Sequence, residues 1–323
     1  MGYKGKSWKA SEQNGRGNWM KGKNWREALI ERVKPYRFRY DEPLAGYTSF
    51  RIGGPADLLV EINTRDELER LVSHCEREGI PWLLLGRGSN VLIKDQGLGG
   101  VVLHLGPDFG RIAVDGVHVR AGAAAPLALV AETAARHGLS GLEFASGIPG
   151  SLGGGIFMNA GAYGNEMKDV VVSAEVYQPG EGIISLTKEG LELGYRTSRL
   201  QRSGGILLEA LLQLTPGEEE SIRAKMKALN AKRRAKQPLE YPSAGSVFKR
   251  PEGAYAGRLI EEAGLKGKTV GKAQVSPKHA GFIINLGGAT ARDVLTLIEE
   301  VRTEVYQRTG YWLEPELRIL GRE

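Results

Sequence analysis

The chain has 323 residues, enough to bury more than one apolar core and to form two or three domains. No run of about 18 apolar residues exists to cross a membrane as a helix, and the Lys/Gly/Trp-rich start lacks the apolar centre of an export signal. The single cysteine, Cys75, excludes an internal disulfide and fits a reducing, cytoplasmic compartment.

The net charge of +6 is local. Residues 1–37 hold ten Lys/Arg and three Asp/Glu, and the remaining chain is near balance. The basicity therefore belongs to an N-terminal extension, expected to be partly disordered, and does not argue for a nucleic-acid partner. A first β-α-β unit follows: strand candidates at 57–62 and 82–85 flank a helix at 65–79. Cys75 shares one stripe of that helix with Leu68, Leu71 and Val72, as a core thiol does. Residues 126–137 predict a second helix, with Pro126 in its first turn and Gly138 as its stop. Strands are expected at 170–178, 183–187 and 206–214. A long helix is expected from Thr215-Pro216 to just before Pro238. Its acidic start (Glu218, Glu219, Glu220) and basic second half suit the helix dipole. In a last helix, Thr290 is the N-cap, and Val294, Leu297, Ile298, Val301 and Val305 form one stripe. At the end, Glu314, Glu316 and Arg318 alternate with Leu313, Leu317 and Ile319.

Three small-residue turns stand out. Residues 145–164 read ASGIPGSLGGGIFMNAGAYG and hold seven glycines. Residues 85–93 read LGRGSNVLI, and 48–56 read TSFRIGGPA. Glycine lets backbone approach a ligand closely, and runs of amide N–H groups can bind an anion. Together the turns suit a long ligand with a pyrophosphate. Neither standard nucleotide signature is present. Gly86-Arg87-Gly88-Ser89-Asn90-Val91 has valine where the dinucleotide fingerprint needs glycine or alanine, and no helix follows. For Gly267-Lys268-Thr269 to complete a phosphate loop, Glu262 would have to be glycine. His74, His104, His118, His137 and His279 show no metal-ligand spacing, so no metal is expected.

With the six ordered motifs TSFRIGGPA, LGRGSNVLI, GIPGSLGGGIFMNAGAYG (147–164), GYRTS (194–198), AGSVFKRP (244–251) and LEPELRI (313–319), the chain resembles the UDP-N-acetylenolpyruvoylglucosamine reductase family. The motifs extend from about residue 47 to the C-terminus. The resemblance implies an α+β fold. A two-lobed FAD-binding region of the vanillyl-alcohol-oxidase type would occupy 38–215, with lobes at about 38–95 and 96–215, and a smaller α+β substrate-binding domain would occupy 216–323. It implies noncovalent FAD, since no His or Cys lies in 83–93 or 145–164. It also implies NADPH as reductant, UDP-N-acetylglucosamine-enolpyruvate as substrate, and a cytoplasmic monomer without membrane insertion. Such an enzyme reduces the enolpyruvyl double bond, with the redox step belonging to the flavin.

The same resemblance assigns roles. Ser246 aligns with the proton donor, helped by cations near it in sequence. Arg196 aligns with the arginine that forks the substrate carboxylate. Glu316 aligns with a catalytic glutamate that either orients the donor network or polarises the carboxyl. Lys236, Tyr195 and Arg250 are expected to bind substrate; one branch of the family has asparagine at the position of Arg250. Arg51, Gly86, Gly88, Ser89, Asn90, Gly147, Ile148, Pro149, Gly150 and Ser151 are expected to line FAD. Asn159 would serve the pyrophosphate or close its own loop. The short path from Arg196 to Ser246 places the chain with the loop-less, type II branch. Two other readings share part of the pattern: a flavin oxidase with the same FAD-binding region, and a nucleotide-binding protein without redox activity.

Overall fold

The computed structural model describes residues 25–34 and 37–323. Its contacts divide the chain into two units that are not consecutive stretches. The first comprises residues up to 40 together with 58–86 and 100–231; the second comprises 41–57, 87–99 and 232–323. The boundary expected at 216 therefore falls instead near Ala231, inside a helix. Two segments expected in the FAD-binding region, 41–57 and 87–99, group with the C-terminal residues.

In the first unit, helix Arg65–Glu78 begins at a capping box: Thr64 accepts from the Glu67 amide while the Glu67 carboxylate accepts from the Thr64 amide. Its buried stripe is Leu68, Leu71, Val72, His74 and Cys75. Burial pushes the Cys75 thiol up to about 12, which makes it a core group and not a nucleophile. A four-stranded sheet runs in the order Arg37–Pro43, Pro55–Ile62, Leu98–Leu105, Trp82–Leu84. A five-stranded antiparallel sheet runs in the order Gly182–Thr187, Val171–Gln178, Ile206–Gln213, His118–Gly122, Ile112–Asp115. Helix Leu127–Arg136 buries Leu127, Val130, Ala131, Ala134 and Ala135. One continuous apolar core includes residues of both sheets.

Within the N-terminal extension, Trp25–Val33 is helical, and its Leu29 and Val33, four residues apart, are buried. Residues 1–24 and 35–36 of that extension lie outside the described residues. The long helix starts at Glu219, not at 215. Thr215–Pro216 pairs instead with Leu139–Ser140, so tertiary pairing overrides the proline start signal.

In the second unit, helix Ala291–Thr309 carries a capping box between Thr290 and Asp293. Val294, Leu297, Ile298, Val301 and Val305 are buried as one stripe. Asp95 adds a second cap, accepting from the Ala291 and Arg292 amides at 2.8 and 3.0 Å. The helix packs on a three-stranded antiparallel sheet, Thr269–Val270, Ala273–Val275 and Ile283–Asn285. Strand Arg318–Leu320 pairs in parallel with Val91–Ile93. The C-terminal motif thus meets the strand that leaves the GRGSN turn.

Candidate active site

The second unit gathers four of the motifs around one serine. Ser246 is exposed, while Val247 and Phe248 beyond it are buried. Ser246 pairs with Phe282, and Phe248 pairs with Pro315. The Glu316 amide donates to the Val247 carbonyl at 2.7 Å, and the Lys249 amide to the Glu314 carbonyl at 2.8 Å. These bonds place Glu316, which is half-buried, on the segment directly beside the serine turn. Asn90 fastens the other side: its side-chain amide donates to the Glu316 carbonyl at 3.3 Å, and its own carbonyl accepts from the Arg318 amide. Burial pushes the Arg318 guanidinium below the ordinary arginine value.

Ser49 ties the upstream motif to the same turn. Its hydroxyl donates to the Ser243 carbonyl at 2.7 Å, and its amide to the Gly88 carbonyl at 3.2 Å. Gly88 is at φ +58°, and a Cβ there would lie 2.2 Å from the Tyr47 carbonyl oxygen, so only glycine fits. Arg51 is exposed and also left-handed, at φ +55°. Ser89 and Asn90 are half-buried. Buried Asn285 braces the back of the assembly, donating to the Phe50 carbonyl at 3.0 Å. Lys236 ends helix Glu219–Lys236 and is exposed. Exposed Arg250 lies over the Tyr255 ring, 4.0 Å from its centroid. Burial lowers the pKa of His279, whose Nδ1 accepts from the Gly281 amide at 3.2 Å.

The first unit mounts Arg196 on the end of the glycine run. Ser151 caps helix Leu152–Phe157 by accepting from the Gly154 amide. Gly150 and Leu152 are bonded to Leu127 and Ala125, and Gly153 donates to the Ala123 carbonyl. A Cβ at Gly155 would lie 2.8 Å from Leu127 Cδ1 and one at Gly153 3.1 Å from Ala123 Cβ, so these two glycines serve close packing as well as any ligand. Gly147 and Ile148 are half-buried, and Pro149 is exposed at the bend. Gly86 is exposed, and a Cβ there would stand 3.3 Å from Ser151 Oγ. The space that a side chain at 86 would fill is thus left open beside Ser151.

Asn159 is fully buried at φ +41°. Its side-chain amide donates to Glu166 and to the Gly194 carbonyl, at 2.7 and 3.0 Å, while its Oδ1 accepts from the Lys168 amide. These bonds close the loop on itself, one of the two roles open to it. Gly194 and Thr197 pair across a tight turn holding Tyr195, which is exposed, and Arg196, at φ +54°. The Arg196 guanidinium lies 5.2 Å from the Tyr195 ring centroid. Gln201 and Ser198 both donate to the Phe157 carbonyl.

Ser49, Asp95, Gln201 and Asn285 were not singled out by sequence reasoning. Each is a polar residue whose partner lies far along the chain. Only Asn285, set between Ile284 and Leu286, stands out in the sequence as a polar residue in an apolar stretch.

Residues 237–320 match the family model described as the UDP-N-acetylenolpyruvoylglucosamine reductase C-terminal domain, and residues 56–187 match an FAD binding domain model. The chain is 48% identical over 295 residues to the UDP-N-acetylenolpyruvoylglucosamine reductase of Caldanaerobacter subterraneus, covering 91% of this chain and 97% of the relative. It is 50% identical over 287 residues to UDP-N-acetylenolpyruvoylglucosamine reductase 2 of Symbiobacterium thermophilum, covering 89% and 93%. It also superposes on the crystal structure of the Thermus caldophilus reductase with a TM-score of 0.77 and 39% identity, over 88% of this chain and 98% of that one.

Proposed function

The chain belongs to the UDP-N-acetylenolpyruvoylglucosamine reductase family, and from that premise we propose that it reduces the enolpyruvyl group of UDP-N-acetylglucosamine-enolpyruvate to UDP-N-acetylmuramate. FAD, for which the chain carries a binding domain, supplies the hydride chemistry between NADPH and the enolpyruvyl carbons. Everything else falls to side chains. Hydride arrives at the terminal enolpyruvyl carbon, and charge then builds at its neighbour and spreads into the carboxylate. Arg196 forks that carboxylate with two parallel N–H bonds, so it meets the charge where it develops. Ser246 gives its hydroxyl proton to the carbon bearing the charge. Glu316 orients the groups around the serine, and Lys236, Arg250 and Tyr195 hold the rest of the substrate. Arg51, Gly86, Gly88, Ser89, Asn90 and the run Gly147–Ser151 hold FAD.

The observation that carries this reading is that the Glu316 amide bonds to the carbonyl of Val247, the residue next to Ser246, with Asn90 bonded to the glutamate's own carbonyl. The match of 237–320 to the reductase's C-terminal domain separates the reading from a flavin oxidase, which would share the FAD-binding domain alone.

We place the chain in the loop-less, type II branch and in the cytoplasm, acting as a monomer in peptidoglycan precursor synthesis and so contributing to cell shape and division. Among the described residues no helix is long and apolar enough to cross a membrane.

Ser246→Ala tests the assignment. The variant is expected to keep flavin reduction by NADPH and to lose rapid reoxidation by the enolpyruvyl substrate, about 100-fold or more for removal of a positioned acid. Wild-type reoxidation in the variant rules the serine out as donor.

A further inference from the structure

Arg196 has a side chain but sits in the left-handed region, at φ +54°. Such a conformation persists where the surroundings over-determine it, and it collects at functional sites. The surroundings here are specific. The Gly194 and Thr197 amides and carbonyls close the turn at 3.1 and 3.3 Å. Asn159 holds the Gly194 carbonyl from below at 3.0 Å. The carbonyl of Arg196 itself accepts from Gln201 Nε2 at 3.1 Å, and the same nitrogen donates to the Phe157 carbonyl at 2.7 Å. A primary amide has two N–H bonds to give; the two short contacts of this one are to backbone carbonyls, and Met158 Sδ lies 3.7 Å from the same nitrogen. Phe157 is the last residue of the glycine-run helix. Gln201 therefore couples the peptide of Arg196 directly to the end of that run, from the short helix Arg199–Ser203.

We propose that Gln201 is a positioning residue for recognition of the enolpyruvyl carboxylate: it holds the Arg196 peptide in its left-handed conformation and so sets the aim of the guanidinium. The proposal rests on the reading of Arg196 as the carboxylate fork. A two-point fork depends on orientation far more than a point charge does, so a peptide rotation at Arg196 that leaves the fold intact still misaligns both N–H bonds. Ser198 also donates to the Phe157 carbonyl, at 2.8 Å, and so anchors the same end of the run.

The test is calorimetric titration of oxidised holoenzyme with two ligands. One is the enolpyruvyl substrate; the other is UDP-N-acetylglucosamine, which lacks the carboxylate. Gln201→Ala is expected to weaken the first about tenfold and to leave the second within about twofold, as loss of one charge-assisted contact would. In stopped flow, reoxidation by substrate slows while reduction by NADPH does not. In an Arg196→Ala background, Gln201→Ala adds nothing, because the two residues act as one unit. Equal weakening of both ligands, or an undiminished effect in that background, overturns the proposal. If Arg196→Ala alone binds both ligands as wild type does, the carboxylate-fork reading itself fails, a result separable from failure of the Gln201 link. Gln201→Glu keeps the size of the side chain and removes both donors, and it carries the same expected outcomes should the alanine variant not fold.

Discussion

Replacing Gly88 with alanine puts a methyl group 2.2 Å from the Tyr47 carbonyl oxygen and 2.8 Å from the Thr48 Cα. Both neighbours are backbone, so neither can swing aside as a flexible side chain would. Two costs add. Holding alanine at φ +58° costs about 1–2 kcal/mol, and forcing an extra carbon into a packed turn costs about 1–3 kcal/mol. Gly310 supplies the reference within the same unit. It caps helix Ala291–Thr309 at φ +75°, and a methyl there would have nothing within 4 Å, so Gly310→Ala carries the backbone cost alone. Chemical denaturation of the two variants should therefore separate them by about 1–3 kcal/mol, Gly88→Ala being the weaker. Relief of the clash moves the turn away from Ser49, whose amide donates to the Gly88 carbonyl. Gly88→Ala should accordingly also purify with less flavin than Gly310→Ala. Equal stability and full flavin in both variants would refute the reasoning from close approach.

Asp95→Ala removes the acceptor shared by the Ala291 and Arg292 amides and should cost about 1–2 kcal/mol in thermal or urea unfolding, with flavin content unchanged. Glu143 gives a pH signature. Burial opposes its ionisation, but hydrogen bonds from its own amide, the Ser140 hydroxyl, the Gly141 amide and Lys225 together hold its pKa below the ordinary value. A depressed carboxyl stabilises the fold above its unfolded pKa and loses that contribution as pH falls through the folded one. Glu143→Gln should thus be less stable than wild type near neutrality, and the gap should close as pH falls through the carboxyl's depressed pKa. A gap independent of pH would deny the carboxylate that role.

Local order was plain in the sequence wherever periodicity and caps agreed. Helices Arg65–Glu78 and Ala291–Thr309 each carry a capping box and an apolar stripe, and both formed as read. What escaped was decided by partners distant in the chain. Thr215–Pro216 has a helix-start signature, yet its pairing with Leu139–Ser140 makes it a strand. The parallel pairing of Val91–Ile93 with Arg318–Leu320 lies within one unit, so the contiguous boundary expected at 216 could not hold. The basic composition of residues 1–37 concealed helix Trp25–Val33, whose Leu29 and Val33 spacing was the available clue. Motif spelling singled out Ser246, Arg196 and Glu316 as candidates but not the residues bonded to their backbone. Gln201 looks like a solvated polar residue until its two carbonyl partners are seen.

Anaerobic stopped flow on the yellow holoenzyme bears most directly on the claim that this chain reduces an enolpyruvyl ether. NADPH should bleach the flavin, and adding UDP-N-acetylglucosamine-enolpyruvate should restore its colour with UDP-N-acetylmuramate formed in equal amount. Flavin that stays bleached with that substrate, and recovers at a comparable rate with oxygen alone, would contradict the account.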